Sequence, residues 1–140
     1  MPGPEFLSLD VAVVEGGIND AMVRMPVDSV GAQARRVMAS LAERVARGCI
    51  AVLRVGPPPS LPEDYVESYD SVLATVANLQ EAVYVPDLLK GVAGVDEYNL
   101  YDGLHPNQRG HQRVAETVLP FLLSIFADRP RCTPLGDRPR

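Results

Sequence analysis

Three short apolar runs, each ending at a chain breaker, limit what this sequence can fold into. Leu9-Asp10-Val11-Ala12-Val13-Val14 leads into Glu15-Gly16-Gly17, Cys49–Val55 into Gly56-Pro57-Pro58-Pro59, and Ala82–Val85 into Pro86-Asp87. Such runs read as buried strands of a parallel sheet, the first at residues 9–15. Between the first two, Val37, Met38, Leu41, Ala42 and Val45 fall at helical spacing. That predicts a helix from Gln33 to Arg47 with one buried face, stopped by Gly48. Pro26, Asp28 and Ser29 suggest its start, with a short polar residue as cap. Ser60 and Glu63 have the form of a capping box. The helix behind them carries Tyr65, Tyr69, Val72, Leu73, Val76 and Leu79 on one face, which reads as core. Residues 88–101 read as a loop with one short helical turn, Asp96 and Glu97 being solvated. A last helix from Asn107 passes through Val114, Val118, Leu122 and Ile125, with a kink expected at Pro120. Strand–helix–strand–helix–strand–loop–helix implies parallel strands, right-handed crossovers and helices on both faces.

Composition narrows the class further. A chain of 140 residues, 46% of them hydrophobic, is expected to be one domain with a packed core. The domain is placed at 9–127, between a flexible leader at 1–8 and a disordered Pro/Arg-rich tail at 128–140. A net charge of −5 argues against a nucleic-acid surface. Cys49 and Cys132 are too few for a disulfide framework. Cys49 heads an apolar run and reads as a buried free thiol. The first residues show no signal-peptide pattern, and no run approaches the roughly 18 apolar residues of a membrane span. The expectation is a soluble, cytoplasmic chain with no membrane span.

The chemistry concentrates in Asp102-Gly103-Leu104-His105-Pro106-Asn107, continuing to Gly110-His111. A carboxylate three residues before a histidine can accept from one imidazole nitrogen, leaving the other free as a base. The plainer reading, a loop carboxylate and a surface histidine, stands beside it for an isolated D-x-x-H. A second stretch, Gly17-Ile18-Asn19-Asp20, follows the first strand at its carboxyl end, where open α/β sheets bind ligands. The Asn19 amide is a donor that can point at a developing oxyanion, although Gly and Asn also simply make turns.

Together and in this order, the two stretches resemble the SGNH (GDSL) hydrolase family. The likeness is to its G-x-N-D block, here Gly17, Ile18, Asn19 and Asp20, and to its D-x-x-H-P block followed by G-H, here Asp102, His105, Pro106, Gly110 and His111. The resemblance covers residues 9–127. It implies an α/β protein with a three-layer α/β/α flavodoxin-like parallel sheet. It further implies an ester hydrolase acting on an acyl ester or thioester without cofactor or metal. His105 would be the base, Asp102 its orienter and Asn19 an oxyanion-hole donor, with Gly17 and Asp20 supporting the motif. The family's nucleophilic serine lies in a Gly-Asp-Ser block ahead of G-x-N-D. Here Ser8, Ser29, Ser40, Ser60, Ser68, Ser71 and Ser124 all lack a preceding Gly-Asp, and Gly136-Asp137 is followed by Arg138. The expected sheet is therefore incomplete, without the family's first strands.

An incomplete sheet leaves the strand at 9–15 with an open apolar edge, and such edges pair with something. The expected partner is a second copy of the chain or a missing N-terminal segment, beside a small acyl-ester substrate. Two other readings remain. One is a non-catalytic binding or interaction module built on the same fold. The other is a metal site at Asp102, His105 and His111, which matches no standard ligand spacing.

Overall fold

The computed structural model describes residues 9–57, 60–128 and 132. Strands β1 (Ala12–Glu15), β2 (Ile50–Leu53) and β3 (Val83–Val85) form one sheet in the order β1-β2-β3. Both ladders are parallel, with Val14 opposite Val52 and Val52 opposite Tyr84. Among the described residues β1 has a partner on one side only. A short helix α1 (Ile18–Met22) follows β1, and α2 (Val27–Ala42) leads to β2. Helix α3 (Glu63–Leu79) joins β2 to β3. A 3-10 turn at Asp96–Tyr98 precedes the last helix, α4 (Gln108–Asp128), which contains Pro120. This is the α/β/α arrangement that the alternation of periods implies: α2 and α3 pack on each other, while α4 packs on β3 and the 3-10 turn.

Successive strand residues point to opposite faces, and both Ile50 and Ala51 are buried, so β2 is covered on both sides. Ala12, Ile50 and Ala51 are buried with Met38 of α2, Val76 of α3 and Ile125 of α4 in one cluster. Tyr69 and Leu73 of α3 meet Ala21 and Val30 in a second. Burying one such large side chain is worth about 1.5–3 kcal/mol, so these few contacts carry much of the fold. Val13 is 51% exposed beside the open edge. At the carboxyl end of β2, Arg54 makes a two-pronged ion pair with Asp70, both bonds 2.6 Å. The Arg54 Nη1 also donates to the Pro86 carbonyl at 3.1 Å. One side chain thereby fixes β2, α3 and the exit from β3.

Several local expectations need correction. Helix α2 starts at Val27 and ends at Ala42, earlier at both ends than the apolar spacing suggests. Its cap is Pro26, and that of α3 is Pro62; neither Ser29 nor Ser60 caps through its side chain. Proline fixes φ near the value a helix start tolerates and has no N–H to satisfy, so it displaces the polar cap. Acidic residues in the first turns, Asp28 in α2 and Glu63 and Asp64 in α3, favour the helix dipole instead. Gly48 has a φ of +83° just before Cys49, beyond rather than at the end of α2.

The largest correction concerns the cysteines. Cys49 is not a free thiol: it is bonded to Cys132, 83 residues away, and both are fully buried. The leader at 1–8 lies outside the described residues. So does most of the tail expected at 128–140, although Asp128 still belongs to α4. No described helix is long and apolar enough to cross a membrane.

Candidate active site

His105 sits at the end of a tight turn whose geometry is set by one carboxylate. Asp102 Oδ1 accepts the backbone N–H groups of Leu104 and His105, both at 2.9 Å. Its Oδ2 lies 2.8 Å from His105 Nδ1. Gly103, at a φ of +67°, supplies the left-handed step that brings the chain back over the carboxylate. Three hydrogen bonds favour the ionised acid. The His105 N–H, the Leu104 N–H and the His105 ring together hold the Asp102 carboxyl at about 2, below the usual 3.8. With Nδ1 held in this way, Nε2 is the ring nitrogen left for outside work. The His105 side chain is 69% exposed, so that nitrogen is accessible.

The turn is fastened at its base. Leu100 N–H donates to the His105 carbonyl at 2.8 Å, and Asn107 N–H to the Tyr98 carbonyl at 2.9 Å. An isolated antiparallel bridge joins Asn99 to Pro106 between them. Asn99 is buried, and its amide donates to the carbonyls of Val92 and Val95, pinning the preceding loop. Gly110 explains itself by close approach. A Cβ there would overlap the Tyr98 carbonyl oxygen and lie 2.9 Å from Pro106 Cβ, so only glycine lets α4 start against this bridge. Glu97 is exposed, as expected, and pairs at the surface with Arg109. His111 is exposed on the first turn of α4 and donates its backbone N–H to Asn107.

The second stretch is a helix start rather than a loop. Gly17, at a φ of +93°, is the N-cap of α1, with Asn19 and Asp20 in its first turn. A Cβ on Gly17 would sit 2.7 Å from the Tyr69 hydroxyl. Tyr69 is fully buried, and its hydroxyl has no hydrogen-bond partner among the described residues. Burial pushes that hydroxyl up to about 12, so it stays protonated. Tyr69 is thus the floor beneath the Gly17 turn, a role that its place on an apolar helix face did not reveal. Asn19 is exposed, and no hydrogen bond of its side chain is formed among the described residues.

The structure joins Asp102 to His105, and it places Gly17, Asn19 and Asp20 on one turn at the carboxyl end of β1. No hydrogen bond or ion pair links the two stretches among the described residues, and none links a serine hydroxyl to His105. Nor do any three His, Cys, Asp or Glu side chains there converge on a possible metal position. An apolar cavity of about 250 Å³ opens beside the end of β1, bounded by Val14, Gly16, Gly17, Met38 and Val76. Asn107, expected to open the last helix, lies just before it, and its side-chain oxygen accepts the backbone N–H groups of Arg109 and Gly110. An asparagine directly before a helical period is a preferred cap.

Residues 2–113 match the model of the GDSL-like lipase/acylhydrolase family. Esterase TesA of Pseudomonas aeruginosa is 32% identical over 118 residues, which are 83% of this chain and 57% of that protein. An arylesterase of Vibrio mimicus is 22% identical over 81% of this chain and 56% of its own length. The chain therefore spans little more than half of these relatives. A crystal structure of TesA superposes with a TM-score of 0.75 at 27% identity, covering 83% of this chain and 63% of that one. With most of its length in the family model and its sheet and helices superposing on a solved TesA, this chain belongs to the GDSL-like lipase/acylhydrolase family.

Proposed function

We propose that the chain carries the base side of a serine ester hydrolase. His105 takes the proton of an attacking serine hydroxyl through Nε2, and Asp102 fixes the ring and balances the imidazolium that forms. Asn19 donates to the developing oxyanion, and Gly17 and Asp20 shape the turn that presents it. The observation that carries this reading is the 2.8 Å contact between His105 Nδ1 and a carboxylate held ionised by two backbone N–H groups. Such a base contributes roughly 10²–10⁴-fold to a rate. The relatives' names, esterase and arylesterase, support an acyl-ester substrate.

The nucleophile is the missing member. We place it on a segment carrying Gly-Asp-Ser that pairs along the open edge of β1. The one-sided pairing of β1, the exposure of Val13 and the apolar cavity beside Gly17 support that reading. A second copy of the chain is the other candidate for this edge. The disulfide weighs against the cytoplasmic placement, because such bonds persist in oxidising compartments.

The test is intact mass after a fluorophosphonate serine probe, with p-nitrophenyl acetate turnover on the same sample. The chain is assayed alone and with a supplied strand bearing Gly-Asp-Ser. The expected result is no adduct on the chain alone. With the strand present, one adduct should form on its serine, and turnover should be lost in His105→Ala. An adduct on the chain alone would mean that one of its own serines is the nucleophile. No turnover in either arm, with the strand shown to be bound, would favour the non-catalytic binding module.

A further inference from the structure

Asn107 uses every polar group it has. Its carboxamide oxygen accepts the backbone N–H of Arg109 at 2.9 Å and of Gly110 at 3.0 Å, capping α4. Its carboxamide nitrogen donates to the carbonyls of Glu97 and Asn99, both at 3.0 Å. Its backbone N–H reaches the Tyr98 carbonyl, and its own carbonyl accepts from His111, each at 2.9 Å. A helix cap requires only the oxygen. The two donations from nitrogen go elsewhere, to the incoming side of the turn that carries Asp102 and His105. They close the base of that turn, one rung below the bond from Leu100 to the His105 carbonyl.

We infer that Asn107 is a positioning residue for His105: one side chain locks the base-bearing turn to the first turn of α4. The inference rests on the reading of His105 as the base, and it concerns how that base is aimed rather than the proton transfer itself. The Asp102–His105 pair is internally held by the Asp102 carboxylate. The bridge between Asn99 and Pro106 and the bond from Leu100 to the His105 carbonyl hold the two sides of the turn to each other, and the Asn107 side chain is the hydrogen-bonding group that ties them to the first turn of α4. Neutral amide geometry is required, because only an amide offers an acceptor to the helix and two donors to the turn.

Two changes, one isosteric and one to a shorter neutral cap, separate the clamp from the cap. Asn107→Asp keeps the capping oxygen and removes both donors; Asn107→Ser keeps a neutral cap and offers one donor at most. Amide hydrogen exchange on the full chain reads the two parts independently, through Leu100 for the turn and Gly110 for the helix start. In both variants the Leu100 amide should exchange at least 10-fold faster, with Gly110 within about 2-fold of the parent. The His105 Cε1–H resonance, which a pure cap would leave unchanged, should broaden or split in Asn107→Ser. Leu100 exchange within 2-fold of the parent and an unchanged His105 line would overturn the inference. Equal loss of protection at Leu100 and Gly110 would also overturn it, reducing Asn107 to a helix cap. None of these readouts requires turnover, so an inactive chain with the expected exchange pattern would count against the ester-hydrolase reading alone.

Discussion

The turn that follows β1 and the turn that precedes α4 are built to different standards. The His105 turn is crossed by backbone bonds, clamped by Asn107, pinned by Asn99 and pressed against Gly110. The Asn19 turn is a five-residue helix beside a strand that, among the described residues, is paired on one side only, and the Asn19 side chain is exposed. Its backbone bonds are nearly all within the short helix and its exit, with Ala21 donating to Gly17, Val23 to Asn19 and Met25 to Asp20, and its underside is packed where Ala21 is buried and Tyr69 lies beneath Gly17. On the proposed reading, the residue that acts as base is held by local structure, while the residue that acts as oxyanion donor is held only through α1 and what lies beneath it.

The sharpest challenge to this contrast is the disulfide. It closes an 83-residue span, for which chain-entropy reasoning gives about 4–5 kcal/mol of stabilisation. Cys132→Ser, or reduction, should lower urea stability by that order. If the base turn is locally built, its Leu100 amide should lose protection no more than the strands do.

Next in size is Gly110→Ala. Pushing a methyl group into the Tyr98 carbonyl should cost about 2–3 kcal/mol in equilibrium unfolding and shift resonances around His105. Gly17→Ala meets a flexible end, the Tyr69 hydroxyl at 2.7 Å, together with a left-handed φ. About 1–2 kcal/mol is expected, with the perturbation confined to α1 and α3. A cost for Gly17→Ala above that of Gly110→Ala would break the contrast.

The smallest effect is electrostatic. The Asp102 carboxyl should titrate near 2 by carbon-13 NMR, against an ordinary 3.8. Because its pKa is depressed on folding, its favourable contribution is present above about pH 4 and lost as the pH falls towards 2. Asp102→Asn should remove that part of the acid dependence. A midpoint near 4 would mean that the two N–H bonds to Oδ1 do not persist in solution.

The sequence made the sheet readable because strand and helix periods differ and the breakers stand between them. Val14, Val52 and Val85 fall in strands where the apolar runs place them. Asp102 and His105 were legible because the motif is local: three residues suffice to bring carboxylate and ring together. What escaped was either distant or dual in purpose. The Cys49–Cys132 bond joins residues far apart in the chain, one of them in a tail whose composition suggests disorder. Tyr69 has the spacing of a core residue, and only the path of the chain above it shows that it supports Gly17. Pro26 and Pro62 displaced the expected polar caps because a fixed φ starts a helix without a side-chain acceptor.

The bond between Cys49 and Cys132 also makes part of the molecule a covalent ring. β2, α3, β3, the His105 turn and α4 lie on that ring, while β1 and Asn19 lie on the arm that enters it at Cys49. One backbone cut anywhere between these cysteines, the proline loop after β2 included, opens the ring without yielding two pieces. A nicked chain still holds His105 and Asn19 on one covalent body, and separates into fragments only when it is reduced.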